Sequence, residues 1–261
     1  MIITPDFVFV HMPKTGGTFV SQLLKQIYGK EAQEAAHKHA TCDEIPAHVR
    51  NLPIVSVMRS PWQRYVSQYH YAWWKTHPEA YCDPQHLTDA YKHYPNLSFA
   101  EFVDAANRFF INAHRQSESG FVNHKLSSEQ QMGWHTEQFI RFFCRNPQQT
   151  FASVDAEQLA QGHLNEHEYA VHFLFTETLN RDLSHLLDAC GHGTQVLAQV
   201  QQHAAVLPDD AFEQRPERSI NEYYDDALCA FLLRREQLLF KRFPRYAEAP
   251  AIPVAQAASL A

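Results

Sequence analysis

The sequence predicts an α/β protein built on a mostly parallel sheet, and three observations carry that reading. Continuous apolar runs of strand length occur at "DFVFVHM" (6–12), "LPIVSVMR" (52–59) and "YAVHFLFT" (169–176), as expected of strands covered on both faces. Each leads directly into a segment with apolar residues at helical spacing. Strands alternating with helices are the pattern of a parallel sheet with crossover helices.

Taken in order, the first run lies between Pro5 and Pro13 and passes through "PKTGGT" into a helix on which Val20, Leu23, Leu24 and Ile27 recur until Gly29. A short strand is expected near 37–41, with a helical turn after it. The second run ends at Arg59, and Pro61 suits the first turn of the next helix; Trp62, Tyr65, Val66, Tyr69, Tyr71 and Trp73 give that helix an aromatic face. Residues 76–97, with Pro78, Pro84 and Pro95, read as an irregular insertion whose Tyr81, Tyr91 and Tyr94 either stack on a sugar or cover the core. Ser98 and Glu101 form a capping box for a helix through Asn107, and 109–133 reads as loop with helical pieces. "TLNRDLSHLLDACG" predicts an amphipathic helix closing on Gly191, and "SINEYYDDALCAFLLRREQLLFKRF" one long helix. A single domain over 1–246 with a loose tail at 247–261 accounts for the whole chain.

With 261 residues, 45% hydrophobic and 20% charged, the chain has the composition of a folded globular protein. Its net charge of −7 argues against nucleic acid or an anionic membrane as partner. Residues 1–75 nevertheless hold eight Lys/Arg against five Asp/Glu, the remainder fourteen against twenty-four; a small anionic ligand near the N-terminal third fits that split. Cys42, Cys82, Cys144, Cys190 and Cys229 are odd in number, widely spaced and without a Cys-x-x-Cys pair, which reads as reduced thiols in a cytoplasmic protein. No stretch has the length or apolarity of a signal peptide or membrane span.

A strand that delivers a glycine turn to a helix N-terminus aims backbone N–H groups and the helix dipole at one spot. In "PKTGGT" Gly16 and Gly17 let a ligand approach the backbone, Lys14 adds a mobile cation, and Thr15 and Thr18 offer hydroxyls. Lys14 precedes the glycines, however, where an ATP-binding loop of the Walker type has its lysine after them. In "RSPWQRYVSQY", Arg59 and a hydroxyl at Ser67 suit a second phosphate.

Together these motifs resemble the paired 5′-phosphosulfate and 3′-phosphate elements of sulfotransferases that use 3′-phosphoadenosine-5′-phosphosulfate (PAPS). The similarity is greatest to the carbohydrate branch that includes heparan sulfate 2-O-sulfotransferase. The resemblance implies a P-loop-like three-layer domain, with helices on both faces of a central sheet. Pro13, Lys14, Thr15, Gly16, Gly17 and Thr18 would hold the 5′ end of the donor, and Arg59 and Ser67 its 3′-phosphate. Arg215 and Arg218 would lie in a basic loop over the nucleotide. Ser60 stands where the family often has Asp. The resemblance covers 6–75 most fully, is weaker over 169–190 and near the C-terminus, and is absent from 76–165.

Sulfuryl transfer to a hydroxyl also needs a base. His37 and His39 would face one side of a strand, and the related 2-O enzymes have a similar His-x-His between the two phosphate motifs, its second His acting as base. Lys14 would serve the leaving phosphate. The acceptor implied is a hydroxyl on a glycan or small molecule, and no metal is expected. Three alternatives stand beside this reading. "HLNEH" (163–167) matches the H-x-x-E-H pattern of zinc peptidases but reads better as a turn; a nucleoside or sugar kinase would have a similar fold; and a nucleotide-binding module would bind without turnover.

Overall fold

The computed structural model describes residues 1–112, 121–203 and 219–251. Its strands are β1 (Ile2–Ile3), β2 (Val8–Val10), β3 (Gln33–Glu34), β4 (Ile54–Met58) and β5 (Val171–Phe175). Its α-helices are α1 (Gly17–Tyr28), α2 (Pro61–Tyr71), α3 (Trp73–Thr76), α4 (Pro84–Ala90), α5 (Phe99–Arg108), α6 (Trp134–Phe143), α7 (Pro147–Ser153), α8 (Ala156–Gln161), α9 (Leu179–Ala189), α10 (Thr194–Gln202), α11 (Asp226–Arg235) and α12 (Gln237–Arg242). The described residues fall into two compact units. One draws on Met1–Ser60, Gln138–Ser153 and Leu164–Ala211, the other on Pro61–Glu137, Val154–His163 and Phe212–Ala261.

The first unit holds the sheet, in the order β3-β1-β2-β4-β5. β2, β4 and β5 are parallel, and β1 runs antiparallel to both β2 and β3. All three apolar runs thus become the parallel strands, and the sheet is α/β as the sequence predicts. Phe7 and Phe9, Val55 and Val57, and Leu174 join Val20, Leu23 and Leu24 of α1 and Leu183 and Leu187 of α9 in one core. β5 is less buried than β2 or β4, and His172 is exposed, because it closes the sheet at one edge.

The segment 37–41 is not a strand. Ala36, at φ 53°, turns the chain out of the ladder, and the amide of Ala40 closes a turn on the carbonyl of His37 at 3.1 Å. The edge strand is instead β3, limited to two residues because β1 offers only two partners. The helical turn expected next is present at Cys42–Glu44, capped by Thr41 and Glu44.

In the second unit the aromatic face of α2 is the core: Trp62 stacks on Phe240 at 4.9 Å, and Tyr65 on His135 at 3.8 Å. The 76–97 stretch holds more order than its prolines suggest, since Asp83 caps α4 through the amide of Gln85 at 3.0 Å with Pro84 in the first turn. Its tyrosines belong to the packing. Tyr81 meets Phe110 at 4.8 Å, Tyr91 hydrogen-bonds Asp104, and the hydroxyl of Tyr94 donates to the Trp74 carbonyl at 3.0 Å. The capping box at Ser98 opens α5 as expected.

The single C-terminal helix is corrected to a short turn at Ile220–Glu222, then α11 and α12 broken at Glu236 (φ −104°, ψ 24°). The break has a cause. The side chain of Glu236, fully buried, accepts from Tyr65 Oη at 2.6 Å, from the amides of His135 and Thr136 at 3.0 and 2.8 Å, and from Thr136 Oγ1 at 2.7 Å. Capping the start of α6 outweighs continuing its own helix.

Candidate active site

The parallel register brings three strand ends to one edge of the sheet: Val10 pairs with Ser56, and Met58 with Phe175. The chain leaving β2 at 11–18, Arg59 after β4 and Thr176 after β5 therefore emerge together, at the carboxyl ends where parallel α/β sheets bind ligands.

The turn after β2 contains two left-handed residues, Lys14 at φ 63° and Gly16 at φ 101°. Gly16 is the N-cap of α1; no side chain caps that end, and its first turn has no acidic residue. The leading amides of α1 are thus of the kind that binds an anion, with the helix dipole behind them. Gly17 answers to a different demand, since a Cβ there would stand 2.0 Å from Cδ2 of His11. Lys14 and Thr18 are both partly exposed beside this helix end.

Side-chain bonds fix the turn. Thr15 is fully buried and its hydroxyl donates to the Met12 carbonyl at 2.9 Å. That bond folds the turn. Arg59 Nη1 donates to the Lys14 carbonyl at 3.2 Å. Thr176 Oγ1 lies 2.7 Å from the Thr15 carbonyl and 3.2 Å from that of Met58, and its one hydrogen favours the shorter contact. Nothing in the sequence motifs assigns a role to Thr176 or His11. The signal present was only that each is the first polar residue after a buried run.

His39 is half-buried, and its Nδ1 lies 2.9 Å from the carbonyl oxygen of His11. A carbonyl only accepts, so Nδ1 carries the hydrogen and Nε2 keeps its lone pair. Burial lowers the pKa of this imidazole to about 4, against the raising effect of the same hydrogen bond. His11, 3% exposed, stands edge-on to His39 with ring centroids 4.7 Å apart. Burial first, then the nearby His39 and Lys38, lower its pKa to about 2. His37 does not share this setting: it is exposed, with Nε2 3.2 Å from Glu44 Oε1.

Of the other expected residues, Pro13 is partly exposed in the turn, and Ser67 is half-buried on α2 in the second unit, near the buried Arg64 in sequence. Arg215 and Arg218 lie outside the described residues. "HLNEH" includes a short 3-10 turn, Asn165–His167, rather than a helix. Among the described residues no group of three or more His, Cys, Asp or Glu is placed to hold a metal ion, and no helix is long and apolar enough to cross a membrane. A cavity of about 230 Å³ adjoins the loop, lined by Thr18, Ser21, Gln22, Lys25, Glu34 and Lys38 among others. A larger one, about 460 Å³, is lined by Arg50, Ile54, Arg145 and Tyr169, at the opposite end of β4 from Arg59, and has no part in this geometry.

The chain belongs to the sulfotransferase family, whose model matches residues 3–204. That membership makes it a sulfotransferase, which decides against the kinase and the peptidase. Among solved structures it is similar to mouse sulfotransferase SULT7A1 complexed with PAP, at 12% identity over 93% of this chain and 86% of that one, with a TM-score of 0.44. No curated protein matches it.

Proposed function

We propose that the chain sulfates a hydroxyl of a carbohydrate or glycan in the cytoplasm as a single domain over 1–246. In this reading the turn 13–18 holds the 5′-phosphosulfate, Arg59 and Ser67 hold the 3′-phosphate, and His39 is the general base. The observation that carries it is the His39 hydrogen bond to the His11 carbonyl, which leaves a neutral imidazole with Nε2 as its basic atom beside the residue that opens the turn after β2. Nε2 takes the acceptor proton as the acceptor oxygen bonds to sulfur. The bond from sulfur to the 5′-phosphate oxygen breaks, and the electron pair stays on the phosphate. Lys14 and the amides at the start of α1 stabilise the charge that develops there.

The carbohydrate reading draws on the motif resemblance and on the small cavity. Its polar lining of hydroxyl, amide, amine and carboxylate groups runs from Thr18 of the donor turn to Lys38, the neighbour of His39, beside the apolar Met1 and Ile2, and suits a polyhydroxylated ring. The test is a screen of sugar, phenol and small-alcohol acceptors with sulfur-labelled PAPS, repeated with His39→Ala. Sugar acceptors are expected to be labelled, and the variant to lose roughly 10²- to 10⁴-fold in turnover while binding 3′,5′-adenosine bisphosphate as before. Labelling confined to phenols would overturn the acceptor class, and unchanged turnover would remove His39 from the chemistry.

A further inference from the structure

His11 is the least expected group near the turn. Its ring is buried, and its Nδ1 has no hydrogen-bond partner. A buried orphan nitrogen is a cost that a purely packing side chain would avoid. A five-membered ring has a specific fit here, since the space above Gly17 is so tight that a methyl would stand 2.0 Å from it. A six-membered ring would need more room. The same ring is edge-on to His39, and the backbone carbonyl of the same residue fixes the hydrogen of His39 Nδ1.

We infer that His11 is a positioning residue for sulfuryl transfer: its ring, wedged between Gly17 and His39, sets the spacing of the donor turn and the base, while its carbonyl selects the tautomer of His39. This inference rests on the reading of His39 as base. Leaving group and base must be aligned with the acceptor at the same moment, and both hang from this one residue. Removing the ring lets His39 settle toward Gly17 and admits water beside it. The surrounding charges on His39 come from His37, Lys38 and the Met1 amine, all of which disfavour its protonation, with His11 at its edge. Only the screening by the ring changes in a His11 variant.

The experiment combines kinetics with nitrogen-15 imidazole spectra of the whole chain. In the wild type, His39 should be seen as the neutral Nδ1–H tautomer, titrating well below the ordinary imidazole value of 6.5. In His11→Ala, kcat should fall about 10²-fold with bisphosphate affinity little changed. The titration of His39, and with it the acid limb of the kcat profile, should move up toward 6.5. His11→Ser, which also vacates most of the ring's volume but keeps a polar group after β2, replaces it should the alanine variant fail to fold. The proposal is overturned if wild-type His39 is the Nε2–H tautomer, or titrates near 6.5. It is also overturned if a folded variant loses activity with the His39 titration unmoved, or keeps wild-type kcat. The arms separate the two readings: unchanged turnover in His39→Ala removes the base, whereas a shifted His39 titration in the His11 variants still reports the contact.

Discussion

At Gly17 the absence of a single carbon decides whether the turn after β2 and the imidazole beneath it can coexist. Gly17→Ala is expected to weaken 3′,5′-adenosine bisphosphate binding by more than about tenfold, because the new methyl and the His11 ring cannot both keep their places. The double variant with His11→Ala removes that clash and should recover part of the affinity; equal losses in single and double variants, measured by calorimetry, would contradict this account. In the proposed mechanism the Lys14 amine matters most as charge develops on the leaving oxygen, so Lys14→Ala should lower turnover far more than it weakens binding of the bisphosphate product. Unchanged turnover removes Lys14 from the mechanism. Among these residues the sequence made Lys14, Gly16 and Arg59 legible as members of turns at strand ends, because glycine and basic residues there have few other uses, whereas the demand on Gly17 comes from His11. The sequence left the Thr15 hydroxyl and His11 illegible, since a hydroxyl pointing to its own turn and one pointing to a ligand are spelled the same way.

At the scale of elements, local pattern was sufficient wherever the partner was local. The capping box of α5, the Pro-led start of α2 and the three parallel strands follow from residues within one segment. The break between α11 and α12 does not, because its cause lies about a hundred residues away in the amides of His135 and Thr136. The missing strand at 37–41 is of the same kind, set by the two-residue length of β1. Glu236→Ala leaves four donors without an acceptor in a dry core and should cost roughly 3–5 kcal/mol. Urea unfolding measures it, and a loss below about 1 kcal/mol would show that water or a rearrangement replaces the carboxyl group.

For the whole molecule, buried neutral histidines make stability depend on pH. The folded pKa values of His11 and His39, and of the buried His135, lie below that of an exposed imidazole. Below about pH 6.5 the unfolded chain therefore binds protons that the folded chain refuses. Stability is full above that value and falls as pH drops, by up to about 1.4 kcal/mol per unit for each such histidine, continuing to about pH 4 for His39. The urea midpoint at pH 5 should accordingly lie below that at pH 7, and identical midpoints would contradict the burial of these rings.

The proposed donor site is formed by the turn after β2 together with Arg59 after β4, and ligand-dependent melting tests it most directly. Binding of 3′,5′-adenosine bisphosphate at about a hundred times its dissociation constant adds roughly 2.7 kcal/mol, raising the melting temperature of a chain this size by about 5 to 10 °C. AMP at the same concentration should do far less, because charge-assisted bonds to the 3′-phosphate are each worth about 1.5–3 kcal/mol. Arg59→Ala should erase most of that difference without unfolding the protein. A wild type that responds equally to AMP and the bisphosphate, or an Arg59→Ala variant that still tells them apart, would contradict the assignment of this site.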